Sequence, residues 1–200
     1  MCGVWGAIQD PSADLLGRLA LENGRRGPHA WGFATRNQSY RKPGPYHGDE
    51  IPTGVTIIGH HRLATSGLSQ DWQHEERNQP IVNDGWCLAH NGVVWNVDQA
   101  QWSPDSRYIV DAVASLPGDA RGRLETAVNM VDRRSPLALL LLTPDDQILA
   151  MRRDGEAGPA HPLWFSRHLG SPSVSSRPIT PDATLIPEGA ITSLEDLCQS

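Results

Sequence analysis

Met1-Cys2-Gly3-Val4-Trp5-Gly6-Ala7-Ile8 opens the chain. Val4–Ile8 is an apolar run of strand length, so it reads as a buried strand with a cysteine just ahead of it. Cysteine is small enough for an initiator methionine to be trimmed, leaving Cys2 with a free α-amino group of ordinary pKa about 7.7–8. Thiol and amine then share one residue, and the amine can act as the base that a nucleophile otherwise needs from a histidine. Gly3 lets the backbone approach closely. On its own, a cysteine after Met1 is unremarkable, and the rest of the chain has to decide.

Working outward, Asp10-Pro11-Ser12 signals a helix start, and Leu15, Leu16 and Leu19 stripe a helix that ends near Asn23-Gly24. Trp31–Thr35, Val55–His61 and Trp86–His90 read as strands, the last ending at Asn91-Gly92, a pair suited to a tight turn with positive φ. Helical spacing returns at Tyr108, Ile109, Ala112 and Val113, capped by Asp105 or Ser106, and again at Leu124, Ala127, Val128 and Val131. Leu137–Leu142 and Gln147–Arg152 flank the turn 143–146 as a hairpin, with weaker strands at Leu163–Ser166 and Ser173–Ser176. Strands in runs with helices grouped between them favour layered sheets covered by helices. Residues 1–200 are expected to form one domain, with 178–200 a Pro-rich tail wrapping its surface.

Composition narrows the function classes. A length of 200 residues, 38% hydrophobic, with seven Trp, suits one packed domain, and 19 Gly with 16 Pro imply many loops. A net charge of −6 gives no electrostatic reason to expect nucleic-acid binding. No apolar run approaches the ~18 residues of a membrane span, and the N-terminus has no secretory pattern. Cys2, Cys87 and Cys198 form neither a disulfide framework nor a zinc site, which makes a reducing, cytoplasmic setting the default. His60, His61, His74 and His90 lack a partner cluster of Cys or carboxylate and read as structural, so no metal is expected.

Three further segments accompany Cys2: Arg26-Gly27-Pro28-His29-Ala30-Trp31-Gly32, Gly59-His60-His61-Arg62-Leu63-Ala64-Thr65-Ser66-Gly67, and Leu88-Ala89-His90-Asn91-Gly92-Val93-Val94-Trp95-Asn96. Together they resemble the class II glutamine amidotransferases, glutaminase domains of the N-terminal-nucleophile family. That family begins with Cys-Gly and carries R-G-x-D-x-x-G, G-H-x-R-x-x-T-x-G and H-N-G-x-x-x-N in this order. The resemblance spans residues 2–96, with plausible equivalents to about 176. It implies an α+β fold, a four-layer αββα sandwich of the N-terminal-nucleophile hydrolase type.

It also implies roles. Cys2 would attack the side-chain amide of glutamine and form a γ-glutamyl thioester, releasing ammonia without any cofactor. Arg62 would grip the substrate α-carboxylate, a task suited to a bidentate guanidinium, with Thr65 lining the same pocket on a closing loop. Asn91 and Gly92 would supply the oxyanion donors. Asp105 sits where the family's D-S/T-E motif binds the substrate ammonium, although an Asp there is equally an ordinary helix cap. Glutamine is the implied substrate, and a separate ammonia-accepting synthase subunit the implied partner, because no nucleotide fingerprint accompanies the glutaminase-like part.

The pattern departs in four places. His29 replaces the family's Asp, Arg107 replaces the Glu after Asp-Ser, Leu63 replaces a frequent aromatic, and the interval from Asn91 to Asp105 is short. Two alternatives stand beside the main expectation: a hydrolase for another γ-glutamyl amide, and a catalytically silent scaffold or regulatory partner with the same fold.

Overall fold

The computed structural model describes residues 1–64, 71–98, 104–155, 161–168 and 170–199. The opening apolar run becomes β1 (Gly3–Ala7), followed by α1 (Ala13–Gly24), β2 (Ala30–Ala34), β3 (Ser39–Pro43) and β4 (Ile57–Arg62). Two single 3-10 turns, Asp71–Gln73 and Glu75–Arg77, lead to β5 (Ile81–Asn83) and β6 (Trp86–Gly92). Next come α2 (Arg107–Ser115), α3 (Ala120–Asn129), β7 (Leu137–Leu142), β8 (Ile148–Arg153), β9 (Trp164–His168) and β10 (Ser171–Ser175). β11 (Thr184–Leu185), β12 (Ile191–Ser193) and α4 (Leu194–Gln199) complete the chain.

Among the described residues the strands form a seven-stranded sheet, β11-β9-β10-β1-β4-β2-β3, and a five-stranded sheet, β12-β8-β7-β6-β5. β1 lies in the middle of the first. Neighbouring strands within both sheets run antiparallel, as between β1 and β4 and between β6 and β7.

Alternation along the strands builds the layers. Trp5, Ala7 and Ile57 face α1, where Leu15, Leu16, Leu19 and Ala20 cover them. Ser12 starts that helix by accepting a hydrogen bond from Leu15 N–H at 3.2 Å, an N-cap of the usual kind. Val4 and Ile58 point the other way and pack on Ala89, Ala138, Leu140, Ile148 and Ala150 of the second sheet. Leu88, Leu137, Leu139 and Leu141 leave that sheet by its far face to meet Ile109, Val113, Leu124 and Val128 of α2 and α3. β7 can be apolar at every position because both of its faces are covered. The result is helix, sheet, sheet, helix. No helix among the described residues is long and apolar enough to cross a membrane.

The centre of the first sheet is held by a cross-strand pair, Trp5 against Gly59. Trp5 is fully buried, and a Cβ added at Gly59 would lie 2.0 Å from the indole. Gly59→Ala is therefore expected to lose about 1–3 kcal/mol or more of stability through overpacking. A urea midpoint equal to wild type would show that Trp5 has room to swing aside.

Two details differ from the sequence reading. Asn91-Gly92 is not a tight turn: β6 continues through both, and Asn91 pairs with Ala138 and Gly92 with Leu137. The tight turn of this region is Asp84-Gly85, both at positive φ (47° and 80°), which closes the β5–β6 hairpin. After Pro178 the chain adds β11 to one sheet edge and β12 to the other, and it buries Ile179, Ile186 and Leu194. This segment closes sheet edges as well as covering surface.

Candidate active site

Gly3 pairs with His61 at the end of β4, which brings Cys2 beside the chain leaving that strand. Leu63 N–H donates to Cys2 Sγ at 3.4 Å, and the thiol donates to Leu63 O at 3.7 Å. Arg26 Nε donates to the Cys2 carbonyl at 2.9 Å, and Ser176 is tied to Val4 through its N–H and its Oγ. Gly27 makes this corner feasible, since a Cβ there would fall 2.4 Å from His61 O. Burial pushes the Cys2 thiol up, against the Leu63 N–H and the positive charges of the N-terminus, Arg62 and Arg26. A base close to the sulfur is what such a thiol needs to become a thiolate.

The alternation that turns Val4 and Ile58 toward the second sheet places Cys2 and Arg62 on that same inner side. Arg62 Nη1 donates to Arg77 O and to Asn78 Oδ1, both at 2.9 Å, so one edge of the guanidinium is fixed by the chain before β5. The next residue reaches the other sheet. Gln79 Oε1 accepts from His90 N–H at 2.6 Å, and its Nε2 donates to Ser106 Oγ at 3.2 Å, which lies 2.8 Å from His90 Nδ1. This places the ends of β4 and β6 at the same end of the sandwich.

On β6, Cys87 and Ala89 face the first sheet, and Asn91 shares their side. Asn91 is 2% exposed, and its Nδ2 has no hydrogen-bond partner among the described residues. A buried amide donor without an acceptor is costly and calls for an explanation. Gly92 accepts no substitute: a Cβ would sit 1.9 Å from Pro136 O and 2.5 Å from His90 Nε2. Asp105 Oδ2 accepts from Val94 N–H at 2.7 Å and Oδ1 from Ser106 N–H at 2.8 Å, so it ties the exit of β6 to the start of α2. Ser106 Oγ also donates to Oδ1 at 3.4 Å, so a further lone pair for a cation remains on Oδ2. Thr65 lies outside the described residues. Cys2, Arg62 and Asn91 thus share the inter-sheet side, with Gly92 and Asp105 at the same mouth. Sequence reasoning missed Asn78, Gln79 and Ser176, which carry no local signal and become visible only through their long-range bonds.

The sequence matches no protein-family model and no curated protein. Solved structures do match. The glutamine phosphoribosylpyrophosphate amidotransferase from B. subtilis, complexed with ADP and GMP, aligns at a TM-score of 0.62 and 18% identity over 88% of this chain and 42% of its own. A structure described as the allosteric regulatory enzyme of purine biosynthesis gives 0.64 and 17% over the same shares. A predicted glutamine amidotransferase from Pseudomonas aeruginosa gives 0.51 and 14% over 96% of this chain and 92% of its own. The chain shares the fold of these structures. It spans less than half the length of the first two proteins. The αββα layering of the N-terminal-nucleophile type is the part of the sequence reading that these likenesses bear out.

This fold buries three histidines on β4 and β6. Burial holds His60 well below its ordinary pKa, His61 at about 3, and His90 at about 4 despite the opposing charge of Asp105. Folded, they stay neutral, whereas unfolded imidazoles take up protons near pH 6.5. The stability this provides is whole above that pH and is lost as pH falls from 6.5 toward the folded values, at about 1.4 kcal/mol per pH unit for each histidine. The Tm is therefore expected to drop steeply between about pH 6.5 and 4. His61→Phe, whose ring can keep the stack on Trp31, should flatten that slope. An unchanged slope would assign the acid sensitivity elsewhere.

Proposed function

We propose that this chain hydrolyses the side-chain amide of glutamine to glutamate and ammonia, with Cys2 as nucleophile after removal of Met1. The observation that carries the reading is the buried, unpaired Asn91 Nδ2 on the same inter-sheet side as the Cys2 thiol. An oxyanion supplies the acceptor that this donor lacks. The exposed amine of Cys2 takes the thiol proton, and the thiolate attacks the amide carbon. Asn91 Nδ2 and Gly92 N–H receive the negative oxygen. The carbon–nitrogen bond then breaks, the proton passes to the leaving nitrogen, and ammonia departs. Water hydrolyses the thioester to glutamate and returns the thiol.

Arg62 holds the α-carboxylate through its guanidinium, which Arg77 O and Asn78 Oδ1 orient. Asp105 receives the α-ammonium, and Thr65 is a further substrate-binding residue by its place in the motif. Residues 1–200 act as one glutaminase domain, and a separate synthase subunit consumes the ammonia. The fold shared with the amidotransferase structures and the ordered motifs support the glutaminase part of this reading.

Intact mass and turnover test the reading together. The purified protein should lack Met1, release ammonia from glutamine, and gain one adduct at Cys2 from the glutamine analogue diazo-oxo-norleucine. Retention of Met1, or failure to label while glutamine binds, would falsify it. Faster turnover of γ-glutamyl amines than of glutamine would keep the chemistry and move the substrate to a larger leaving group.

A further inference from the structure

We infer that His29 is a positioning residue for Cys2, acting through the Leu63–Ala64 peptide; this rests on Cys2 being the nucleophile. Ala64 N–H donates to His29 Nδ1 at 3.0 Å. The carbonyl of that same peptide unit is Leu63 O, the acceptor of the Cys2 thiol. In a trans peptide the N–H and C=O point in opposite directions within one rigid plane. His29 therefore holds one end of a plank whose other end touches the reacting sulfur.

The post itself is fixed. His29 N–H donates to Arg62 O at 3.0 Å, His29 O accepts from Gly44 N–H at 2.8 Å, and the ring stacks on Trp72 with centroids 5.8 Å apart. An imidazole nitrogen accepts only when it carries no proton, so the ring holding this peptide is the tautomer protonated at Nε2. Without the acceptor, the Leu63–Ala64 plane is free to turn and takes Leu63 O away from the sulfur. The Leu63 N–H, one bond further back, loosens its hold on Sγ as well.

Two substitutions separate this role from packing. His29→Asn keeps an acceptor bonded to Cγ, as Nδ1 is, but loses the stack on Trp72. His29→Phe keeps a flat ring over Trp72 but has no acceptor. The full-length protein is compared by glutamine kinetics, by hydrogen exchange at the Ala64 amide, and by the Cys2 Cβ resonance. His29→Phe is expected to lower kcat about tenfold or more with KM nearly unchanged, the pattern of a misplaced reacting group. The same variant should speed Ala64 exchange and move the Cys2 Cβ resonance, while His29→Asn stays close to wild type in all three. A Cys2 resonance unmoved by His29→Phe, or an Asn variant as impaired as the Phe variant, overturns the inference. Absence of glutamine turnover in the wild type overturns the proposed function instead, because exchange and resonance still decide the role of His29.

Discussion

Cys2→Ala is expected to abolish glutamine turnover, a loss on the order of 10⁴-fold or more, while leaving the fold intact. The two halves of this expectation come from different places. The loss follows from removing the only atom proposed to bond to the substrate carbon. The intact fold follows from location: Cys2 precedes β1, is half-buried, and belongs to none of the three apolar clusters. Removing one sulfur from such a position costs at most about 1 kcal/mol. Calorimetry should still register glutamine on the variant, since Arg62 and Asp105 are untouched. Cys2→Ser keeps a nucleophile and the amine, but its shorter bond draws the oxygen back from the Leu63 N–H, and it should recover little activity. Wild-type turnover in Cys2→Ala would end the nucleophile assignment.

Asn91→Ala is expected to lower kcat about 10²–10³-fold with a small change in KM, as removal of one oxyanion donor does elsewhere. Its effect on stability should run against intuition for a residue that is 2% exposed. Its Nδ2 makes no hydrogen bond to the described residues, and an unsatisfied buried donor costs about 1–3 kcal/mol. Deleting it relieves that cost while opening a small void, so the Tm should stay near wild type. A variant with a much lower Tm but the wild-type kcat would make Asn91 a structural residue and leave Gly92 N–H as the donor to the oxyanion.

Much of this was legible in the chain. Ser12 with the Leu15, Leu16 and Leu19 stripe located α1, and the apolar runs around residues 143–146 located the β7–β8 hairpin, because local propensity and burial agree there. The site segments were legible as ordered motifs. Spacing alone did not show which faces meet. That requires knowing that Cys2, Arg62 and Asn91 all project between the sheets, a property of the register.

The illegible parts share a cause. β3 (Ser-Tyr-Arg-Lys-Pro) is a polar edge strand, and β11 and β12 are too short to show a period; each exists because a neighbouring strand offers unpaired backbone. Asn91-Gly92 has the composition of a turn, yet pairing with β7 holds it extended. Asp105 could be read as a cap or as a ligand, and its bonds to Val94 and Ser106 give it an anchoring task that spacing could not reveal.

The dipeptide Asn78-Gln79 has one more consequence. Neighbouring Cα atoms are about 3.8 Å apart whatever the surrounding layers do. One amide of the pair grips Arg62 of the first layer, and the other grips the backbone one step before Asn91 of the second. Covalent geometry therefore acts as a clasp between the layers. The end of β4 and the end of β6 stay joined through two adjacent residues even if the layers slide or swell farther in.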